Sequence, residues 1–448
     1  MTTRVAEHFS SRFGFLMASI GFAVGLGNIW RFPYVTGENG GGAFVVVYLL
    51  CAFAIGVPIL MAEIMLGRRG RASPPGAMRK VAVAEGRSIH WQWAGGLNLL
   101  TAFLILVTYA VVVGWVLWYL YRAVATGFAG VTNGVAAEAF EQVLADIPGL
   151  LFWTVTALAM AGGIVYFGVR DGIERSVRIL MPTLFALLVV LAVYNVFAGG
   201  FGVALGYLFT PDFSKVSGSM MLAAIGQAFF SIGVAMAGMM TFGAYLPQEH
   251  SISQSVVLII VADTLVALVA GLAIFPAVFH YGLDPAGGPG LIFQTLPVAF
   301  SQMPGGHLVS VLFFLLLSVG GITSMVGLLE PLVAWLDEHR GFARHRSTLA
   351  LIGGIGGMSI LSILSFNVLS GWTIASLTIS DLVDYVSNQL LLPFGGFLIA
   401  LFVGWFVSRS SAREELAINA PHVFHTWHLM IRFVVPPAVA VILITGLN

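Results

Sequence analysis

Apolar residues gather into eleven stretches, at about 13–36, 42–68, 93–125, 150–168, 176–199, 218–247, 254–282, 307–337, 347–367, 376–408 and 426–446, separated by polar or glycine- and proline-rich connections. A helix needs about 20 apolar residues to cross the hydrocarbon layer of a bilayer. The pattern therefore predicts an all-α integral membrane protein of eleven transmembrane helices, a single membrane domain over residues 1–448. Several stretches exceed the required length, which implies tilt.

Two of the eleven are interrupted. The first contains Gly21, Gly25, Gly27, Asn28, Arg31 and Pro33, and the sixth contains Gly226, Gln227, Ser231, Gly233 and Gly238. Backbone at bilayer depth leaves the helical ladder only where protein or a water-filled cavity satisfies its N–H and C=O groups. Interrupted segments at corresponding positions of two halves point to a secondary transporter of inverted repeats, with its site between them at the midplane. The repeats would cover about 13–199 and 218–408, leaving 426–446 as an extra helix. Close helix packing through small residues is the other reading of the glycines. Asn28 and Ser231 beside them favour a site.

Composition supports the membrane assignment: 58% of residues are hydrophobic and 9% charged, against about 25% charged in soluble domains, and mean hydropathy is +0.96. Net charge is zero and only Lys80 and Lys215 are lysines, so no nucleic-acid partner is expected. No obligate protein partner is evident; the expected surroundings are the lipid bilayer. All of the 20 basic residues except Arg31, Arg122 and Lys215 fall on one side if the N-terminus is inside. The positive-inside rule then sets the N-terminus in the cytoplasm and, with an odd number of spans, the C-terminus outside. Cys51 is the sole cysteine, so no intrachain disulfide or cysteine metal site forms. Residues 1–12 are short and polar and no small-residue cleavage pattern follows, so no cleaved signal peptide is expected.

The ionisable or oxygen-bearing candidates inside the spans are Asn28, Glu63, Ser231, Asp263, Thr323, Ser324, Glu330, Asp381 and Asp384. Such groups suit a hard cation. Asp263 lies in the run Ile259–Ala267, where a carboxylate costs at least ~2.5–3.5 kcal/mol to insert and needs a partner. A helix–helix hydrogen bond or a protonated acid are the alternatives to a functional role.

Taken together these residues carry a resemblance. Gly21 to Pro33 followed by Glu38-Asn39-Gly40-Gly41-Gly42-Ala43-Phe44 is similar to the first-helix signature of the neurotransmitter:sodium symporters. Tyr109 and Trp115, Gly226 to Ser231, Gly320 to Ser324, Glu330-Pro331 and Asp381 to Tyr385 extend the resemblance over the whole chain. It resembles the bacterial amino-acid-transporting branch, whose members commonly have eleven spans. The family's fold is already the worked example of paired broken helices, so here that architecture is implied by the resemblance.

Carried over position by position, the resemblance implies two sodium sites. The first would comprise the Ala23 carbonyl, Asn28, Ser231, Asp263 and the substrate carboxylate; the second, the carbonyls of Gly21, Val24 and Gly320 with the hydroxyls of Thr323 and Ser324. The amino-acid substrate would meet Phe22, Ala23, Leu26, Gly27, Ile105, Tyr109, Phe230, Ser231, Gly233, Met236, Ser324 and Leu328. No charge lies among the residues facing its side chain, which implies an apolar amino acid, and Gly233 with adaptable Met236 suggests a large or varied one. Arg31 and Asp384 resemble the outer gate pair. Glu338 matches the inner acid, and Arg4 would supply the base because Ala6 falls where the family has arginine.

Asp263 departs from the asparagine of chloride-dependent members, and Ala267 from the glutamate of some chloride-independent ones. The fixed negative charge then sits on the sodium ligand itself, and chloride is not expected. The resemblance implies a protein of the bacterial inner membrane that works by alternating access, segments 1, 2, 6 and 7 moving against 3, 4, 8 and 9. Other readings are a symporter for a different small zwitterion, a channel, or a transport-dead sensor on the same scaffold. An enzyme is disfavoured, since neither a His-Glu-x-x-His pair nor a Gly-x-Ser-x-Gly elbow is present.

Overall fold

The computed structural model describes residues 7–446, and its regular structure is entirely helical over that range. The first span is a bent pair, α1 (Arg12–Ala23) and α2 (Gly27–Glu38), turned by 47° at the break. Nine unbroken helices have the length and apolarity to cross a membrane: α3 (Gly42–Gly70), α4 (Ile89–Ala125), α5 (Ile147–Tyr166), α6 (Val169–Ala198), α9 (Ile252–His280), α10 (Gly306–Arg340), α11 (Arg344–Leu364), α12 (Ile379–Trp405) and α13 (Pro421–Gly446). The sixth span is split into α7 (Gly218–Ile232) and α8 (Gly238–Ala244). With the bent pair and this split span, the described residues hold eleven segments, in the order expected from the hydropathy pattern.

The connections are more ordered than their composition suggests. Three of them, at about 69–92, 127–149 and 283–306, each contain a helix: Pro74–Ala84, Asn133–Ala145 and Leu296–Gln302. Prolines explain part of this, because Pro74 and Pro297 sit in first turns, where the missing N–H costs nothing.

Burial sorts the spans into a post and a lipid-facing shell. The most apolar stretch of α10 is 83% buried, whereas those of α6 and α13 are 28% buried. Tertiary packing, not lipid, therefore surrounds α10, which lies against α4, α1, α6 and α5. The two broken spans meet this post, so α4 and α10 can supply side chains to whatever backbone the breaks release.

Candidate functional site

The first break is held by side chains that stand in for the helical ladder. Helix α1 stops at Val24, whose φ of −77° and ψ of 97° are extended. In an unbroken helix the Leu26 amide would bond the Phe22 carbonyl. Instead the Leu26 N–H donates to the Tyr109 hydroxyl at 3.2 Å, and the Ser324 hydroxyl donates to the Phe22 carbonyl at 3.1 Å. Gln227 of α7 donates its Nε2–H to the Gly27 carbonyl at 2.8 Å. Gly25 permits this closeness, since a Cβ there would strike Ser324 Oγ and stand 2.9 Å from the Tyr109 hydroxyl.

The second break has its own clamp. Gly233, Ala235 and Ala237 adopt φ values of 71°, 60° and 64°, and left-handed alanines cost about 1–3 kcal/mol each unless the surroundings enforce them. The fully buried Glu63 of α3 accepts the Ala235 N–H at 2.6 Å. Glu63 and Gln227 stood in the sequence as a membrane acid and a motif residue without roles. Their depth within apolar spans was the available signal, but their partners are backbone groups that only the folded breaks expose.

Between the breaks lies a closed cluster of oxygens. Asn28 donates Nδ2–H to Ser231 Oγ at 3.0 Å, to the Asp263 carbonyl at 2.9 Å and to Asp263 Oδ1 at 2.8 Å. Ser231 donates to Asp263 Oδ2 at 2.8 Å, and the buried Tyr48 hydroxyl stands 3.4 Å from the same oxygen. All four residues are inaccessible to solvent. Asn28 Oδ1 alone has no protein partner, although buried carbonyl oxygens are normally paired. A buried carboxylate beside an orphaned amide oxygen is a donor set that fits sodium, a hard cation.

Ten of the twelve residues expected around the substrate line one cavity: Phe22, Ala23, Gly27, Ile105, Tyr109, Phe230, Gly233, Met236, Ser324 and Leu328. Ser231 belongs to the oxygen cluster, and Leu26 faces the vestibule above. The cavity is shut down to about 20 Å³ by its own side chains, while the vestibule holds about 500 Å³. Ile105, Tyr109 and Phe230 line both spaces and so form the partition. The Arg31 guanidinium lies 4.7 Å from the Phe230 ring centre. Asp384, across the vestibule, accepts from Asn388 at 2.7 Å. Among the described residues no ion pair within 4.0 Å joins Arg31 to Asp384.

The residues of the expected second ion site also converge. A Cβ on Gly320 would lie 3.4 Å from Gly25 Cα, and one on Gly21 3.4 Å from Thr323 Cβ, so the first break and α10 approach closely here. Val24 is buried beside them. Thr323 donates to the carbonyls of Val319 and Gly320, both at 3.0 Å.

At the face carrying the arginine-rich connections, Glu338 accepts the Ser73 amide at 2.6 Å. Arg4, its expected partner, and Ala6 lie outside the described residues. A different assembly stands below α8. Arg344 pairs with Glu330, and with Glu7 at 3.6 Å; the Tyr245 hydroxyl donates to Glu330 at 2.7 Å; and the Phe9 N–H donates to the Tyr245 carbonyl at 3.2 Å. Only Glu330 of this group stood out in the sequence, as an acid inside a span.

Comparison with known proteins accords with this arrangement. The model of the sodium:neurotransmitter symporter family matches residues 6–139 and 136–448. An uncharacterized sodium-dependent transporter of Bacillus subtilis, YhdH, is 33% identical over 99% of this chain and 98% of its own. Another uncharacterized sodium-dependent transporter, from Haemophilus influenzae, is 32% identical over the full length of both. The crystal structure of MhsT in complex with L-phenylalanine superposes with a TM-score of 0.90 at 40% identity, covering 98% of this chain and 99% of that one. With a family match over nearly every residue and a broken-helix scaffold around a sodium-compatible oxygen cluster, the chain belongs to the sodium:neurotransmitter symporter family and is a multi-pass, sodium-coupled membrane transporter.

Proposed function

We propose that this protein carries hydrophobic and aromatic L-amino acids into the cell with sodium and without chloride. The observation that carries this reading is the junction of two environments. The solvent-inaccessible Asp263 carboxylate and the orphaned Asn28 oxygen belong to a cluster in which Asn28 and Ser231 directly follow Gly27 and Phe230, two residues of a cavity whose walls include Phe22, Ile105, Met236 and Leu328. The 40% identical MhsT, crystallised with L-phenylalanine, supports the substrate class.

In this account the substrate carboxylate joins Asn28, Ser231, Asp263 and the Ala23 carbonyl around the first sodium, near the Gly27 amide and the Tyr109 hydroxyl. Sharing a ligand couples the two binding events, each raising affinity for the other. Asp263 offsets the sodium charge in a low-dielectric site, which is the role a bound chloride would otherwise fill. The second sodium sits among Gly21, Val24, Gly320, Thr323 and Ser324 and ties α1 to α10. Arg31 and Asp384 close the outer path over Phe230. Segments 1, 2, 6 and 7, two from each repeat at about 13–199 and 218–408, move against 3, 4, 8 and 9, in a bacterial inner membrane with the N-terminus on the cytoplasmic side.

The test is equilibrium binding of radiolabelled amino acids to purified protein in sodium, lithium or potassium, each as chloride or gluconate salt. Phenylalanine, tryptophan, tyrosine and leucine should bind in sodium with equal affinity in either anion. If none of the four binds in sodium the substrate assignment fails, and chloride stimulation would overturn the role given to Asp263.

A further inference from the structure

Where α12 ends and α13 begins, on the face carrying the arginine-rich connections, two arginines gather without an acid. The Arg432 guanidinium lies 4.1 Å from the Trp405 ring centre and 5.3 Å from that of Phe433. Trp405 Nε1–H donates to the Arg432 carbonyl at 3.3 Å. Arg432 Nε is buried and has no hydrogen-bond partner. Arg409, on the connecting helix Arg409–Leu416, approaches His425 Nδ1 at 3.3 Å. His428 follows His425 by three residues and precedes Arg432 by four, so the three share one helix face. It is buried at 3% exposure with both ring nitrogens unpartnered.

Four arginines of this face pair with carboxylates: Arg68 with Glu415, Arg69 with Glu85, Arg178 with Glu174, and Arg344 with Glu330. Among the described residues neither Arg409 nor Arg432 has a carboxylate within 4.0 Å. A guanidinium fork with free N–H groups suits phosphate. The flanking surface is apolar and outward-facing: Leu429, Phe433 and Val434 are 41%, 52% and 43% exposed. A tryptophan such as Trp405 at a helix end marks the headgroup level.

We propose that this junction binds the phosphate headgroup of an anionic phospholipid, held by Arg409 and Arg432 with its acyl chains along Leu429, Phe433 and Val434. The apolar flank is what selects a lipid over a free anion. Basic pockets between spans near the cytoplasmic interface are suited to such headgroups.

Native mass spectrometry of the purified protein, titrated with phosphatidylglycerol, phosphatidylcholine or inorganic phosphate, tests this. Phosphatidylglycerol should bind more tightly than phosphatidylcholine, and excess inorganic phosphate should not displace it. Arg409→Gln and Arg432→Gln should each weaken that lipid about fivefold, while Arg79→Gln, an exposed charge elsewhere on the same face, should leave it unchanged. Arg409 is exposed, so its variant keeps the test valid if Arg432→Gln does not fold. Equal affinity for the two lipids, displacement by inorganic phosphate, or an Arg409→Gln variant that retains full binding would overturn the proposal.

Discussion

Replacing Asp263 by asparagine removes one charge from the centre of the oxygen cluster and changes its shape little. The carboxylate is fully buried, and its two oxygens receive hydrogen bonds from Asn28 and Ser231, each at 2.8 Å. A unit charge about 4 Å from a cation contributes about 4 kcal/mol at an effective dielectric constant of 20. Part is returned because a neutral amide costs less to bury, leaving about 2–3 kcal/mol, or roughly a 30- to 150-fold loss of sodium affinity. The assay is sodium-dependent binding of labelled phenylalanine, with the sodium concentration for half-saturation read in chloride and in gluconate. The variant should need far more sodium and should gain a dependence on chloride, since the missing charge can be supplied by an anion. A variant that binds sodium within threefold of the parent in both anions would show that the Asp263 charge does not hold the cation.

Other perturbations separate the supports of the two breaks. Glu63→Gln keeps an acceptor for the Ala235 amide and should be mild, whereas Glu63→Leu orphans it and should lower stability by about 1–3 kcal/mol, measured as thermal unfolding in detergent. Tyr109→Phe leaves the Leu26 amide unpaired and should weaken amino-acid binding about tenfold, from a loss of roughly 1–2 kcal/mol. Arg68→Ala strips the partner from Glu415 and the donor from the His250 carbonyl; as a buried pair broken on one side it should cost about 3 kcal/mol. Burial pushes the Glu85 carboxyl up, but the Ser408 amide and Arg69 outweigh it and hold the group below its ordinary 4.5. A depressed value stabilises the fold above the unfolded value and loses that contribution as pH falls through the folded one. The gap in melting temperature between the parent and Glu85→Gln should therefore be present at neutral pH and close below about pH 4.5.

The positions of the spans were legible because bilayer thickness imposes a length on apolar runs. Even so, the sixth segment, read as 218–247, conceals a five-residue break at 233–237 that composition marks only by Gly233 and Gly238. Ala235 and Ala237 carry no sign of their left-handed backbone; that conformation is imposed by Glu63 and the packing around it. The convergence of Asn28, Ser231 and Asp263, from three separate spans, followed from the family signature and not from spacing. The same holds for the walls of the cavity. Glu7, Tyr245 and Arg344 were not singled out, because an ion pair across distant segments has no local pattern and each residue alone resembles a solvated or interfacial side chain. Arg432 was read only as one of the basic residues of an inner connection, whereas the structure sets it between aromatic rings with an unpaired Nε.

On this reading the oxygen cluster couples sodium to a hydrophobic amino acid without chloride. The most direct test is uptake of labelled L-phenylalanine into proteoliposomes under an inward sodium gradient with gluconate as the only anion. Phenylalanine should accumulate above its external concentration, and the accumulation should collapse when sodium is equalised across the membrane or replaced by potassium. Uptake that persists without a sodium gradient, or appears only when chloride is added, would contradict this reading.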